Sequence, residues 1–208
     1  MSMKIVMINS LYTPHIVGGA EISTQILAES LASYAEVHVL TTGGQPRDDG
    51  VRTEEINGVL VHRLPHANLY WIGDARKRGV LKRSARRLID QHNPAQIRAV
   101  RDLVGSLAPD VVHTHNLSGF GASVWKACAD QDVPVVHTLR DYSLLSPVSS
   151  PLANPVLSRF YSHLSRSASR QVSAVVGISS HILNRHLEAG LFPDADPHVI
   201  PNGVIGDI

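Results

Sequence analysis

Short runs of β-branched residues alternate along this chain with segments of helical apolar spacing. The first run is Lys4 to Asn9, and Leu27, Leu31 and Tyr34 follow it at helical spacing. Such alternation is typical of βαβ units, in which parallel strands form a sheet and the connecting helices cover both of its faces. The sequence therefore predicts an α/β, Rossmann-like, doubly wound fold with a mostly parallel sheet.

One antiparallel hairpin interrupts the parallel pattern. Asn57-Gly58 stands between two β-like runs and favours the two positive φ angles of a type I′ turn.

Ser180 is interpreted as the N-cap of the helix that follows it. The other predicted strands are 36–41, 51–56, 59–64, 110–114, 133–138, 174–178 and 198–200, and the other predicted helices are 95–107, 121–130, 156–172 and 180–189.

The composition limits the partners that the chain can attract. With 208 residues, 43% of them apolar, the chain is long enough to bury a core. Nineteen basic and 18 acidic residues give a net charge of +1, so no overall field favours nucleic acid. The single Cys128 cannot form an intramolecular disulfide, which favours a reducing, cytoplasmic location.

A basic run lies in the least regular part of the sequence. Seven lysines or arginines fall between Arg76 and Arg87 with no acid among them, and an apolar stripe including Leu81 and Ile89 passes through the run. An amphipathic helix is predicted here. We favour a solvated basic face, and the alternative is peripheral contact with the inner face of a membrane.

Ligands of open parallel sheets bind beyond the carboxyl ends of the strands, so site residues are expected in the loops that follow the strands. Gly18 and Gly19 end the first such loop and directly precede a helix. They either let a phosphate approach the helix N-terminus or form only a flexible turn. Glu21, in the first helical turn, is interpreted as a capping residue.

Two histidines lie at the end of the strand 110–114. Strand periodicity places His113 and His115 on the same side, with Asn116 beside the second. No carboxylate or thiol stands near them to complete a metal site, so no metal is predicted. His113 is interpreted as a core histidine with a hydrogen-bond partner, and His115 as a group that hydrogen-bonds substrate.

Arg140 and Asp141 follow the next strand. They form either a surface ion pair of little energetic value or part of the binding crevice. Cys128 lies among Ala122, Trp125 and Ala129 on one predicted helix and is interpreted as a small core residue, not as a nucleophile.

Five weak motifs in sequence order give the chain a resemblance to the N-terminal domain of the family 4 glycosyltransferases. They are Lys4-Ile5-Val6 with Gly18-Gly19-Ala20-Glu21, Asn57-Gly58-Val59 with His62-Arg63-Leu64-Pro65, Pro109 to His115, Pro134 to Leu139, and Val199 to Val204. The resemblance implies one half of a two-domain GT-B architecture. It also implies transfer of a sugar from a nucleotide-sugar donor, with retention of anomeric configuration and without a metal or other cofactor.

The same resemblance implies roles for particular residues. Gly18 and Gly19 would lie near the donor diphosphate, and His115 would face the donor sugar as the catalytic-site histidine. Asn116, Arg140 and Asp141 would line the acceptor side of the cleft. Arg140 stands where many relatives have histidine, and its permanent charge favours an anionic or phosphorylated acceptor.

The resemblance also implies how the chain is divided. Residues 1–200 would form the domain, and residues 201–208 would begin a linker to a donor-binding domain that is absent here. We therefore expect this chain to be inactive by itself and to need its own C-terminal domain, with a small molecule, glycan or lipid as acceptor. The alternatives are a non-catalytic module that binds sugar or nucleotide, and a nucleotide-sugar epimerase of the GT-B layout.

Overall fold

Eight strands form a single sheet in the computed structural model, which describes residues 2–44, 49–145 and 155–203. The strands in chain order are β1 (Lys4–Ile8), β2 (Glu36–Gly43), β3 (Arg52–Ile56), β4 (Val59–Pro65), β5 (Val111–Thr114), β6 (Val135–Leu139), β7 (Ala174–Gly177) and β8 (Asp196–Val199). Their order across the sheet is β3-β4-β2-β1-β5-β6-β7-β8. Only the β3–β4 pair is antiparallel among these strands, so the predicted Rossmann-like, mostly parallel fold is confirmed.

Helices connect the parallel strands. They are α1 (Gly19–Leu31), α2 (Val80–Gln91), α3 (Pro94–Leu107), α4 (Val124–Ala129), α5 (Pro155–Ser169) and α6 (Ser180–Glu188), with a short 3-10 helix at Ile72–Lys77 before α2. None of the helices in the described part of the chain is long and apolar enough to cross a membrane.

The core has two parts because successive strand residues point to opposite faces of the sheet. Ile5 and Met7 of β1 belong to a cluster that includes Ala28 of α1. Val6 and Ile8 belong to a larger cluster on the other face, to which α3, α4 and α6 contribute apolar side chains. The helices therefore cover both faces of the sheet, as the alternation of strands and helices predicts.

The hairpin forms as predicted. Asn57 and Gly58 have φ angles of 50° and 80°, which are the two positive values that a type I′ turn requires. The element boundaries differ from the predictions by a few residues at several ends. One such difference is α4, which is predicted from residue 121 and begins at Val124, because Gly121 has a φ of 78° and cannot continue a helix.

Two further predictions need correction. The basic run does not form one helix, because Arg78-Gly79 is extended and separates the 3-10 helix from α2. The N-cap of α6 is Ser179 and not Ser180, since the Ser179 side chain accepts from the Ile182 amide. The predicted linker is described only to Gly203, and its residues 204–208 lie outside the described part.

Candidate active site

The sheet has a switch point between β1 and β5. From β1 the chain builds β2, β4 and β3 to one side, and it then crosses over to build β5 to β8 on the other. At such a point the loops that leave the two neighbouring strands diverge and open a crevice at their carboxyl ends. Asn9 and His115 lie directly after β1 and β5, at the floor of this crevice.

The two loops are joined by polar contacts. The Asn116 amide N–H donates to Asn9 Oδ1 at 3.0 Å, and Ser10 Oγ donates to Asn116 Oδ1 at 2.8 Å. Asn116 Oδ1 also accepts from the Ser118 amide. Asn116 thus fixes the floor of the crevice through its Oδ1 and backbone.

His115 is the central side chain of the crevice. It is only 2% exposed, and neither of its ring nitrogens has a hydrogen-bond partner among the described residues. Burial, followed by the positive fields of His113 and Arg140, lowers its pKa well below 6.5. The ring is therefore neutral, with one N–H donor and one acceptor nitrogen both unused.

His113 lies beside it, with the ring centroids 4.1 Å apart. This contact confirms that the two histidines project from the same face of β5. His113 Nε2 is 2.8 Å from Thr138 Oγ1, and burial lowers the pKa of His113 to about 4. The interpretation of His113 as a histidine with a structural hydrogen bond is confirmed.

Arg140 follows β6 and reaches across the carboxyl edge of the sheet. Its Nη1 donates to Ser23 Oγ of α1 at 2.6 Å and to Asn202 Oδ1 beyond β8. Burial lowers the Arg140 pKa, and the carboxylate of Glu21 acts in the opposite direction. Within the described residues Arg140 does not pair with Asp141, so the surface ion-pair interpretation is wrong.

Asp141 is exposed and holds its own loop. Its Oδ1 accepts from the Ser143 amide at 2.8 Å, which fixes the turn after β6. Burial raises the pKa of Tyr161, and the negative charge of Asp141 adds a little to this increase. Burial lowers the pKa of His186, and the charge of Asp141 opposes that decrease.

Four predicted site residues meet at one small pocket. It is partly open to solvent. The lining residues are His115, Asn116, Leu117, His137, Thr138, Leu139, Arg140, Asp141, Ser143 and Leu144. The structure thus brings together His115, Asn116, Arg140 and Asp141, which the sequence places on two separate loops.

Gly18 and Gly19 are exposed at the start of α1 and do not line this pocket. The Gly18 amide donates to Glu21 Oε2 at 2.7 Å, which confirms Glu21 as a capping residue. A Cβ on Gly19 would meet no atom within 4 Å, and one on Gly18 would meet only Glu21 Oε2 at 3.8 Å. The domain therefore does not itself need glycine at either position.

Cys128 is fully buried on α4, and burial raises the pKa of its thiol to about 12. It is a core residue, as predicted. No group of three or more histidine, cysteine, aspartate or glutamate side chains that could hold a metal ion is found in the described parts of the chain.

The sequence does not assign Ser23 to this region, and it places Asn202 only in the predicted linker, with no contact to the site. They are 117 and 62 residues from Arg140, their contact partner. A serine on a helix and an asparagine after a strand give no local signal of such a contact. Only the order of the strands brings them together.

Comparisons with known proteins agree with this architecture. A family model described as Glycosyltransferase Family 4 matches residues 17–205. The "Uncharacterized 42.6 kDa protein in cps region" of Klebsiella pneumoniae is 33% identical over 213 residues, which cover 99% of this chain and 57% of that protein. The chain therefore spans little more than half the length of this curated relative.

Two solved structures share the fold. An α,α-trehalose-phosphate synthase (UDP-forming) from Burkholderia vietnamiensis superposes with a TM-score of 0.57 at 14% identity, over 98% of this chain and 49% of that one. UDP-N-acetylglucosamine 2-epimerase from Rickettsia bellii superposes with a TM-score of 0.55 at 11% identity, over 97% and 45%. The Rossmann-like sheet of this chain thus corresponds to about half of each of these GT-B enzymes. The match of the family model over nearly the whole chain gives the assignment: the chain belongs to glycosyltransferase family 4.

Proposed function

We propose that this domain holds the acceptor and orients the donor sugar in a retaining glycosyl transfer from a nucleotide-sugar. The observation that carries the proposal is His115, a buried neutral imidazole that lines a pocket at the sheet switch point and whose two ring nitrogens have no partner in the part of the chain that the structure describes. Buried polar groups normally have partners, so a bound hydroxylated ligand is the natural partner here. One ring nitrogen would donate to a sugar hydroxyl and the other would accept, which positions the reacting centre.

The donor diphosphate would lie at the start of α1. Gly18 and Gly19 carry no side chains of their own, and the space at Gly19 is open. The Glu21 carboxylate already accepts from the Gly18 amide, so the N–H groups available to an anion are those of the following residues in the first turn, at the positive end of the dipole of a 13-residue helix. Those N–H groups would stabilise charge on the departing nucleotide. The donor enters as a substrate, and the proposal includes no metal or cofactor.

The acceptor would bind beside Arg140. A permanent, partly buried guanidinium in the pocket wall favours an acceptor that carries an anionic or phosphate group. Asn116 and Asp141 line the same pocket and would contact acceptor hydroxyl groups.

The complete enzyme would have a second domain after residues 201–203, and this would supply the remaining contacts to the nucleotide. We also propose a cytoplasmic location. Because Leu81 of the apolar stripe is exposed among basic side chains, we now favour contact of the basic face of α2 with the inner surface of the membrane over a solvated face. Lys77, Arg78, Lys82 and Arg83 are exposed on or beside α2, together with Leu81. This surface would bring the domain close to a lipid or glycan acceptor at the membrane.

The test uses the full-length protein with a panel of UDP-, GDP-, ADP- and dTDP-sugars. Release of nucleotide and formation of glycosylated product would be followed with and without extracted cellular glycans and lipids as acceptors. His115→Ala should lower kcat/KM by 10²-fold or more, because a positioned hydrogen bond at the reacting centre is lost. His181→Ala, at an exposed position on α6, is the matched control and should retain full activity.

Other outcomes would assign the protein differently. An epimerised nucleotide-sugar formed without any acceptor would indicate the epimerase alternative. Binding of a nucleotide-sugar with no turnover under any condition would indicate a binding module. Full activity of His115→Ala would contradict the proposed role of His115 in positioning the donor sugar.

A further inference from the structure

The side chain of Arg140 connects three parts of the fold. Its Nη1 donates both to Ser23 Oγ in the first turns of α1 and to Asn202 Oδ1, three residues beyond the end of β8. Asn202 otherwise lies exposed on the segment by which the chain leaves the domain. One guanidinium nitrogen therefore holds that segment against the helix that begins at Gly19.

The charge of Arg140 is poorly compensated where it lies. Its Nε is buried and has no hydrogen-bond partner among the described residues. Glu21 is the carboxylate whose charge acts on it, whereas its other ionisable neighbours, His113, His115 and His137, are held neutral by burial. Ser23 and Asn202 offer it only neutral oxygens. An anion is the ligand that this guanidinium lacks.

The same guanidinium lines the pocket that contains His115. Charge-assisted hydrogen bonds to a phosphate or carboxylate are about twice as strong as those to a neutral amide oxygen. We propose that Arg140 is shared between Asn202 and an anionic group bound beside His115, so that binding of the anion releases the segment at Asn202. This proposal rests on the proposed function only in placing an anionic ligand in that pocket.

Sharing has a thermodynamic consequence that can be measured. If the anion weakens the contact with Asn202, then loss of that contact must strengthen anion binding by the same factor. Asn202→Ala should therefore bind anion more tightly than the wild type. Asn202→Asp should bind it more weakly, because a carboxylate competes better than an amide for Arg140.

The experiment uses the full-length protein with inorganic phosphate as the probe and sodium chloride at equal ionic strength as the reference. Phosphate affinity would be measured by calorimetry, and amide hydrogen exchange would be followed in the peptide that contains residues 200–203. We expect phosphate to speed exchange in this peptide of the wild type. Asn202→Ala should raise phosphate affinity several-fold, up to about tenfold, and Asn202→Asp should lower it several-fold. Asn184→Ala, at an exposed position on α6, is the matched control and should change neither quantity.

Three results would overturn the proposal. The first is unchanged or weaker phosphate binding in Asn202→Ala. The second is an exchange rate at residues 200–203 that does not respond to phosphate. The third is phosphate binding, with its effect on amide exchange at residues 200–203, that is retained in Arg140→Gln and lost in Gly19→Ala. That result would locate the anion at the start of α1. None of these readouts needs sugar transfer, so failure here is distinct from failure of the proposed function.

Discussion

Buried histidines are the main feature at the scale of single residues. His115, His137 and His186 are almost fully inaccessible, and His113 lies against the first of these. Burial lowers the pKa of all four below 6.5. His137 also has a defined structural partner, since its Nδ1 is 2.8 Å from Thr114 Oγ1. Burial thus favours the neutral form of each of these rings.

This arrangement predicts loss of stability in mild acid. The pKa values of His113 and His137 are lowered to about 4 and about 3, so between pH 6.5 and these values the unfolded chain binds more protons than the folded one. The free energy of unfolding should therefore fall as the pH is lowered below 6.5. Each of the two histidines should contribute roughly 3 kcal/mol of this loss by pH 4.

Urea denaturation at pH 7, 5.5 and 4.5 measures this loss, and NMR titration of the imidazole signals assigns it. In the folded protein, His113 and His137 should remain neutral at pH 5. Protonation of either buried ring near pH 6.5 would contradict the prediction.

At the scale of elements, α2 is attached to the loop after β5. Asp90 pairs with Arg86 at 2.7 Å, both side chains being buried, and Asp90 Oδ2 also accepts from the Gly119 amide at 2.9 Å. The backbone carbonyl of Asp90 lies against Gly121, which is two residues after Gly119 in the same loop. Arg86 is therefore part of the interior and does not belong to the exposed basic face that the sequence suggests.

Gly121→Ala should destabilise the domain severely. The new Cβ would lie 1.6 Å from the Asp90 carbonyl oxygen, and the φ of 78° is unfavourable for alanine. We expect a loss of at least ~3 kcal/mol in the free energy of unfolding, measured by urea or thermal denaturation. Gly19→Ala, which meets no atom within 4 Å, is the control and should change stability by less than ~1 kcal/mol. Equal stability of the two variants would contradict the contact.

The exposed face of α2 gives a second prediction at this scale. Leu81, which the sequence places on an apolar stripe, is 84% exposed, and Lys82 and Arg83 beside it are exposed as well. Charge reversal in Lys82→Glu/Arg83→Glu should reduce binding to phosphatidylglycerol vesicles by on the order of tenfold or more. Co-sedimentation with vesicles measures this binding.

The matched control carries the same change of charge on another helix. Arg98→Glu/Arg101→Glu alters two exposed arginines of α3 and should leave vesicle binding nearly unchanged. Binding should also fall as salt is raised and should be weak on phosphatidylcholine alone. An equal effect of the two double variants would show that only the net charge matters and would contradict a surface on α2.

At the scale of the whole molecule, the pocket is open on one side and the chain covers 57% of its curated relative. A pocket of this kind positions a ligand but does not enclose it, and enclosure is what excludes water from a transfer reaction. We expect residues 1–208 by themselves to give no measurable sugar transfer. The comparison is with the product of the complete coding region, in the nucleotide-release assay described above, and transfer by residues 1–208 would contradict the expectation.

Local patterns predicted most of the fold. Strand and helix order, the type I′ turn at Asn57-Gly58 and the burial of Cys128 all follow from residues close together in the chain. The placement of His115 and Arg140 at strand ends was predictable in the same way, because parallel strands end at one edge of the sheet. The N-cap of α6 was mispredicted because Ser179 and Ser180 are adjacent, and only the backbone path decides which serine caps the helix. The start of α4 was mispredicted because the sequence does not show that Gly121 has a positive φ.

The sequence by itself thus determined which segments form strands and helices and which loops meet at the crevice, since apolar periodicity and turn residues act over a few positions. Only the tertiary structure decided which side chains touch within the crevice. The strand order carries α1, β6 and the segment after β8 to one edge, where Arg140 meets Ser23 and Asn202. It also decided that His115 is buried with no hydrogen-bond partner for its ring among the described residues. Such contacts depend on distances across the sheet that no local pattern encodes.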